Sequence, residues 1–369
     1  MIFKNLLRRK TRTLLTLAGI AIGVAAIVAL GALAEGFAAG YGALSSGSGA
    51  DLLVAQADAV DIVFSAVDEE VGTALAKLSG VKEVSGMVYT FAATEGVPYF
   101  IVFGYEPDGF AIQHFKIVEG EGLTDRAAGQ GGRPLILGRA AADDLDKEVG
   151  DTIRLYETTY RIVGIYETGS PFEDGAAVVL LEDAQDLSKH PRQVNAFLIK
   201  LRDLRDAERV RQRIEQRFSD LTATLSSDFV EEQDWLAMIQ GFTWAVSLLA
   251  VLIGGVGVMN TMLMSVFERT REIGVLRALG WRRRQVLWMI LGESVALSLL
   301  GGVAGLAAGI AVVALLNSIP FMASFVQGRF SLGLFVQALT TALGLGAVGG
   351  AYPSWRAARL QPIEALRYE

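Results

Sequence analysis

The chain has 369 residues, 52% of them hydrophobic and 20% charged, with a positive mean hydropathy of +0.40. That charge content excludes a wholly membrane-embedded protein, so apolar spans plus a water-facing domain are expected. The net charge of −7 argues against nucleic acid as a partner, and the absence of cysteine means that no disulfide holds the water-facing part.

Residues 1–13 form a basic segment containing Lys4, Arg8, Arg9, Lys10 and Arg12, and an apolar run follows over 14–34. A hydrocarbon core of ~30 Å needs ~20 helical residues, which this run supplies. Gly19 and Gly23 give the span a GxxxG face for packing against another helix. Ala32-Leu33-Ala34 also fits a signal-peptide cleavage site, but the run exceeds the ~7–15 residues of a signal core, so a retained span is expected.

Residues 35–241 carry 18 Lys/Arg against 35 Asp/Glu, which concentrates the acidity of the chain there. Their pattern predicts an α+β domain. Strand DLLVAQ precedes a helix over Asp68–Leu78 and strands over Val81–Thr90 and Pro98–Tyr105. After a turn-rich patch at Glu119–Arg133 come PLILG, a helix over Arg139–Leu145, a hairpin in DTIRLYETTYRIVGIYET and the piece AAVVLLEDAQDLSK. A strand over Val194–Leu201, a charged helix over Asp203–Phe218 and a short strand TATL close the domain. Arg202, Arg205, Arg209, Arg211, Arg213 and Arg217 interleave with acids along that helix, as expected of a solvated, salt-bridged face.

Three further apolar runs cover 242–266, 286–316 and 332–352, giving four spans in all. Arg269, Arg271, Arg277, Arg282, Arg283 and Arg284 lie in the intervening 267–285, and Arg356, Arg359 and Arg367 lie in the tail 353–369. By the positive-inside rule both termini and 267–285 are cytoplasmic, while 35–241 and the loop 317–331 are outside. Gly254 and Gly257 on the second span, Gly301, Gly305 and Gly309 on the third, and Gly346 and Gly350 on the fourth are expected packing positions. Asn260 is expected to hydrogen-bond between helices, and the intramembrane acid Glu293 requires a partner, a cavity or the interface.

After the second span Glu268, Arg269, Thr270, Arg271 and Glu272 return the chain to water. Ile273, Gly274, Leu276, Arg277, Leu279 and Gly280 then predict a short amphipathic helix. By composition alone it fits a membrane-surface helix and a protein-docking helix equally. The two histidines, His114 and His190, form no recognisable catalytic or metal motif. No GxSxG, HExxH or GxxxxGK[ST] pattern occurs, so no enzyme activity, metal site or nucleotide site is expected in this chain.

The stretch GGVGVMNTMLMSVFERTREIGVLRALG, from Gly254 to Gly280, resembles the second transmembrane helix and coupling helix of the MacB/FtsX-like family of ABC transporter permeases, and Pro353–Glu369 resembles that family's ending. The resemblance implies a MacB-like core domain with one lobe from 50–118 plus 192–226 and an inserted lobe from 119–190. It implies a separate ATP-binding subunit that holds ATP and Mg and seats on Arg269, Thr270, Arg271, Glu272, Ile273, Gly274, Leu276, Arg277 and Gly280. The macrolide exporter that names the group has its ATPase fused ahead of the first span, so this chain is more similar to stand-alone permeases. Also implied are a homodimer or heterodimer in the inner membrane, a periplasmic adaptor with an outer-membrane channel, and mechanotransmission for efflux. Regulation of a cell-wall hydrolase or lipoprotein extraction is the alternative within the family, and a membrane-anchored ligand sensor is the alternative outside it.

Overall fold

The computed structural model describes residues 10–124, 132–229, 234–319 and 328–361. The chain divides into two compact units: a helical unit built from residues up to Glu35, from Gln240 to Leu315 and from Gly328 onward, and an inserted unit dominated by Gly36–Ile239.

The first helix, α1 (Lys10–Ser46), starts in the helical unit, and its last turns belong to the inserted one. Ten strands then build one sheet: β1 (Leu52–Gln56), β3 (Val81–Thr94), β4 (Val97–Tyr105), β5 (Lys116–Gly120), β6 (Arg133–Gly138), β7 (Thr152–Leu155), β8 (Thr158–Glu167), β9 (Ala177–Leu180), β11 (Ala196–Leu201) and β12 (Leu221–Leu225). Their order is β12-β1-β11-β3-β4-β9-β6-β8-β5, with β7 on β8, while β2 (Val67–Asp68) and β10 (Gln193–Val194) pair separately. The strands of the expected inserted lobe, β5 to β9, are neighbours in space but not a separate sheet. They join the others through the parallel pair β4–β9, where Val102 to Tyr105 align with Ala177 to Leu180.

Both faces of the sheet are covered, which is why β4 is buried continuously from Phe100 to Tyr105 instead of alternating. Between the strands come α2 (Glu70–Ala76), α3 (Arg139–Leu145), α4 (Pro171–Asp174), α5 (Leu181–Ser188) and α6 (Ala207–Arg217). Leu75 of α2, Leu181 of α5 and Val210 and Ile214 of α6 share one aliphatic core with Val88, Val102 and Ile199. On α6 the arginines are occupied within the unit: Arg209 by Asp206, Arg211 by Glu208, and Arg213 by the Ser79 carbonyl.

The other face is aromatic and receives the end of α1. Tyr41 is buried, stacks on Phe229 with ring centroids 5.3 Å apart, meets Phe172 edge-on and donates its hydroxyl to Asp61 Oδ2 at 2.9 Å. A methyl at Gly40 would come within 2.9 Å of Phe172 Cβ, so glycine there permits the approach. Beside this joint His114 Nε2 lies 2.9 Å from Glu173 Oε1. Burial pushes the Glu173 carboxyl up to about 8, opposed by a hydrogen bond from Thr168 and assisted by the charge of Asp174. His114 is lowered, mainly by burial.

The helical unit contains the four candidate spans: α1, α7 (Asp234–Glu268), α9 (Arg283–Asn317) and α10 (Leu332–Ala358), with the short α8 (Thr270–Ala278) between α7 and α9. The tail expected after residue 352 is helical to Ala358, with Pro353 inside the helix. Residues 1–9 of the expected basic segment, most of the loop 317–331 and residues 362–369 lie outside the described residues.

Lipid offers no hydrophobic driving force between helices, so backbone proximity has to hold the unit together. Ile20, Val24 and Val28 of α1, all buried, seat on Gly301, Gly305 and Gly309 of α9. A methyl at Gly305 would stand 2.6 Å from the Ala21 carbonyl oxygen, and one at Gly346 2.8 Å from Val295 Cα. Gly350 touches Ser294, whose hydroxyl donates to the Gly346 carbonyl at 2.5 Å. Gly23 meets Ala250 at ordinary contact distance, and Gly254 does the same with Leu345.

Three expectations need correction. Gly19 and Gly257 face open space within this chain, and Asn260 is exposed on α7. The hydrogen bond expected at Asn260 is made one position later, between Thr261 Oγ1 and Thr16 Oγ1 at 2.5 Å, because a step of ~100° moves the side chain onto the packed face. Gly302 and Gly349, which interrupt no GxxxG register, are close contacts that spacing alone did not reveal.

Gly305→Ala should destabilise the detergent-solubilised protein by about 1–3 kcal/mol through overpacking. In the solubilised monomer Gly19→Ala and Gly257→Ala should be neutral or slightly stabilising, which thermal unfolding would measure. Between the ordinary value of 4.5 and about 8, native Glu173 keeps a proton that the unfolded chain has released, so stability should fall as pH rises across that window. Glu173→Gln should flatten this fall when unfolding midpoints are compared at the two ends of the window.

Candidate functional site

Helix α7 stops at Glu268, and Arg269 leaves helical geometry at φ −109°, ψ 17° before α8 begins. The passage from span to charged segment is therefore broken at one residue. The buried Thr270 hydroxyl donates to the carbonyls of Val266 at 3.1 Å and Phe267 at 2.8 Å, satisfying acceptors at the helix end.

Arg269 holds the break in place. Its Nη1 lies 2.9 Å and 3.2 Å from the two carboxylate oxygens of Glu293 on α9, while its Nε lies 3.2 Å from Glu272 on α8. Glu293 is buried, at 8% exposure. An acid so placed is tolerable only with a hydrogen-bonded counter-charge, and a planar guanidinium can serve two carboxylates at once. The partner required for Glu293 is thus a residue of the predicted coupling segment, and one side chain ties α8 to α9 at the point where the chain leaves α7.

Helix α8 has two faces. Thr270, Ile273 and Gly274 are buried, and Ile273 shares a core with Val266, Val286, Ile290 and Ala357. Arg271, Val275, Ala278 and Leu279 are exposed, with Leu279 at 76%. The predicted apolar stripe of Ile273, Leu276 and Leu279 is not a single face, because six residues turn the chain about 240° and leave Leu279 about 120° around the helix from Ile273. The exposed stripe is instead Arg271, Val275 and Leu279 at four-residue spacing. Val275 was missed by sequence reasoning, although its spacing from Arg271 and Leu279 contained the signal.

The far end of α8 turns sharply. Gly280 adopts φ +98°, the Trp281 amide bonds to the Leu276 carbonyl at 3.1 Å, and Arg277 Nη1 donates to the Trp281 carbonyl at 2.9 Å. A positive φ there favours glycine and closes the helix in the manner of a Schellman turn. Gln285 accepts from the Arg282 amide at 2.7 Å to open α9, and Arg282, Arg283 and Arg284 are exposed. This arrangement carries no nucleophile or proton-transfer pair. What it offers is an apolar ridge bordered by arginines on a helix pinned at one end.

Arg269→Gln, which strands the buried carboxylate, should cost about 3–5 kcal/mol. Glu293→Gln alone should cost less, because the amide still accepts from Arg269. The double variant should recover part of the loss, so a double-mutant cycle in chemical unfolding should give a coupling clearly different from zero.

Residues 13–217 match the model of the MacB-like periplasmic core domain, and residues 244–362 match that of the FtsX-like permease C-terminal domain. The uncharacterized ABC transporter permease MJ1507 of Methanocaldococcus jannaschii is 28% identical, over 100% of this chain and 96% of that protein. The macrolide export ATP-binding/permease protein MacB of Bdellovibrio bacteriovorus is 28% identical over 100% of this chain, which spans 61% of its length. The pyoverdine export ATP-binding/permease protein PvdT of Pseudomonas fluorescens is 30% identical over 97% of this chain, which spans 57% of its length. The crystal structure of the periplasmic region of MacB from Actinobacillus actinomycetemcomitans covers 50% of this chain and 94% of itself, with a TM-score of 0.41 and 12% identity.

Proposed function

This chain belongs to the MacB/FtsX-like family of ABC transporter permeases, and we propose that it is a permease subunit driven by a separate ATP-binding subunit seated on the exposed ridge of α8. The observation that carries the reading is that ridge: Val275 and Leu279 are exposed beside Arg271, on a helix tied through Arg269 to α9. An apolar centre with a charged rim is the composition of a protein-docking surface. ATP and Mg belong to the partner, and the motor's closure displaces α8.

The displacement passes from α8 to α7 and α9 through Arg269, and both α1 and α7 run from the helical unit into the inserted one. Work done at the cytoplasmic end then rearranges the outer domain, which is mechanotransmission in service of export. Relatives named for macrolide and pyoverdine export support that direction. Basic residues flanking the spans support cytoplasmic termini and a cytoplasmic α8 in an inner-membrane protein. Two copies pair through surfaces that include Gly19, Gly257 and Asn260, which this chain leaves open. An adaptor and an outer-membrane channel extend the export route.

Co-expression with a candidate ATP-binding subunit from the same genome should give a complex with stimulated ATP hydrolysis. Val275→Asp/Leu279→Asp should weaken association by about thirtyfold or more, the equivalent of one hot-spot loss of ~2 kcal/mol, without lowering the unfolding midpoint of the permease. Unchanged association would remove α8 as the docking site.

A further inference from the structure

The end of α10 carries a cluster that the coupling role leaves unused. Tyr352, Trp355, Arg356 and Arg359 recur at helical spacing and are all exposed, while Pro353, Ser354, Ala357 and Ala358 on the other side are buried. Arg359 lies over the Trp355 ring at 4.0 Å, Tyr352 and Trp355 stack with centroids 6.2 Å apart, and Arg356 lies over Phe267 of α7 at 4.8 Å. Arg356 Nη1 also reaches the Tyr352 hydroxyl at 3.5 Å.

Among the described residues neither guanidinium is in a salt bridge, in contrast to Arg269 with its two carboxylates. A ring occupies only the face of a guanidinium. Its edge, with the N–H donors, is not taken up by the ring, and that edge is what grips a phosphate. Both arginines are thus held by aromatic rings with no carboxylate partner among the described residues. The cluster also lies at the end of the apolar run 332–352, the depth at which Tyr and Trp settle among lipid headgroups.

We propose that Arg356 and Arg359, positioned by Tyr352, Trp355 and Phe267, form a binding site for the headgroup phosphate of an anionic phospholipid. The occupant is a lipid and not a free phosphate because the rings supply an apolar wall for the glycerol and upper acyl chain beside the charged edge. The lipid would sit against Phe267, whose carbonyl accepts from Thr270 at the break, so it contacts α7 two residues before Arg269. The site does not depend on the proposed ATPase partner.

The test is native mass spectrometry of the delipidated full chain titrated with phosphatidylglycerol or phosphatidylcholine. Wild type should retain phosphatidylglycerol preferentially, and excess inorganic phosphate should not displace it. Arg356→Gln/Arg359→Gln should weaken phosphatidylglycerol binding by roughly thirtyfold, at ~1 kcal/mol per arginine, and leave phosphatidylcholine binding unchanged. Trp355→Ala, which keeps both charges, should also weaken it. The variants alter only the exposed side of α10, and a retained unfolding midpoint would verify folding. Equal retention of the two lipids by wild type, an unchanged preference in the double glutamine variant, or displacement by inorganic phosphate would each overturn the site. Loss of a co-purifying ATP-binding subunit with the lipid preference intact would reassign the cluster to protein docking.

Discussion

A carboxylate inside a membrane helix must find a counter-charge, and at Glu293 that requirement organises the whole region between the second and third spans. Arg269 meets Glu293 from a position that has left helical geometry, so the break between α7 and α8 accompanies the ion pair. Once the backbone turns there, Thr270 folds back onto two carbonyls, Ile273 enters the core beside Val286 and Ile290, and the opposite side of α8 is left bare. The exposed ridge and the buried pair are two consequences of one local geometry.

Around this node the membrane helices are held by proximity. The succession of Ile20, Val24 and Val28 on Gly301, Gly305 and Gly309 leaves no slack for a side chain, which favours displacement of helices as bodies over local deformation. Such packing suits a subunit that transmits displacement. The inserted domain is built differently, with a two-sided sheet whose aromatic face closes over Tyr41 at the end of α1. There the fixing elements are ring contacts and the Tyr41–Asp61 hydrogen bond, which hold the incoming helix by several unlike interactions at once.

The ends of the spans show two ways of accommodating arginine. Arg269 is neutralised by carboxylates, whereas Arg356 and Arg359 rest on rings with no carboxylate partner among the described residues. The difference follows from the companions each is given, since a carboxylate takes up the donor edge and a ring does not.

Much of this architecture was determined by local pattern. Apolar run length located four spans, alternation and turn residues located the strands, and four-residue glycine spacing marked Gly301, Gly305 and Gly309 as packing positions without naming the helix they meet, because each of these signals lies within a few turns of chain. Tertiary structure alone decided which polar side chains meet. Arg269 and Glu293 are twenty-four residues apart with no periodicity joining them, and Thr261 replaces Asn260 as the bonding residue because a single helical step changes the face. The same held for Val275 over Ile273 as a surface position and for β4 beside β9, where a parallel pairing merged two expected lobes into one sheet. Pairings of this kind depend on the angles at which elements pack, and those angles arise from the sum of all contacts, which no single stretch of sequence contains.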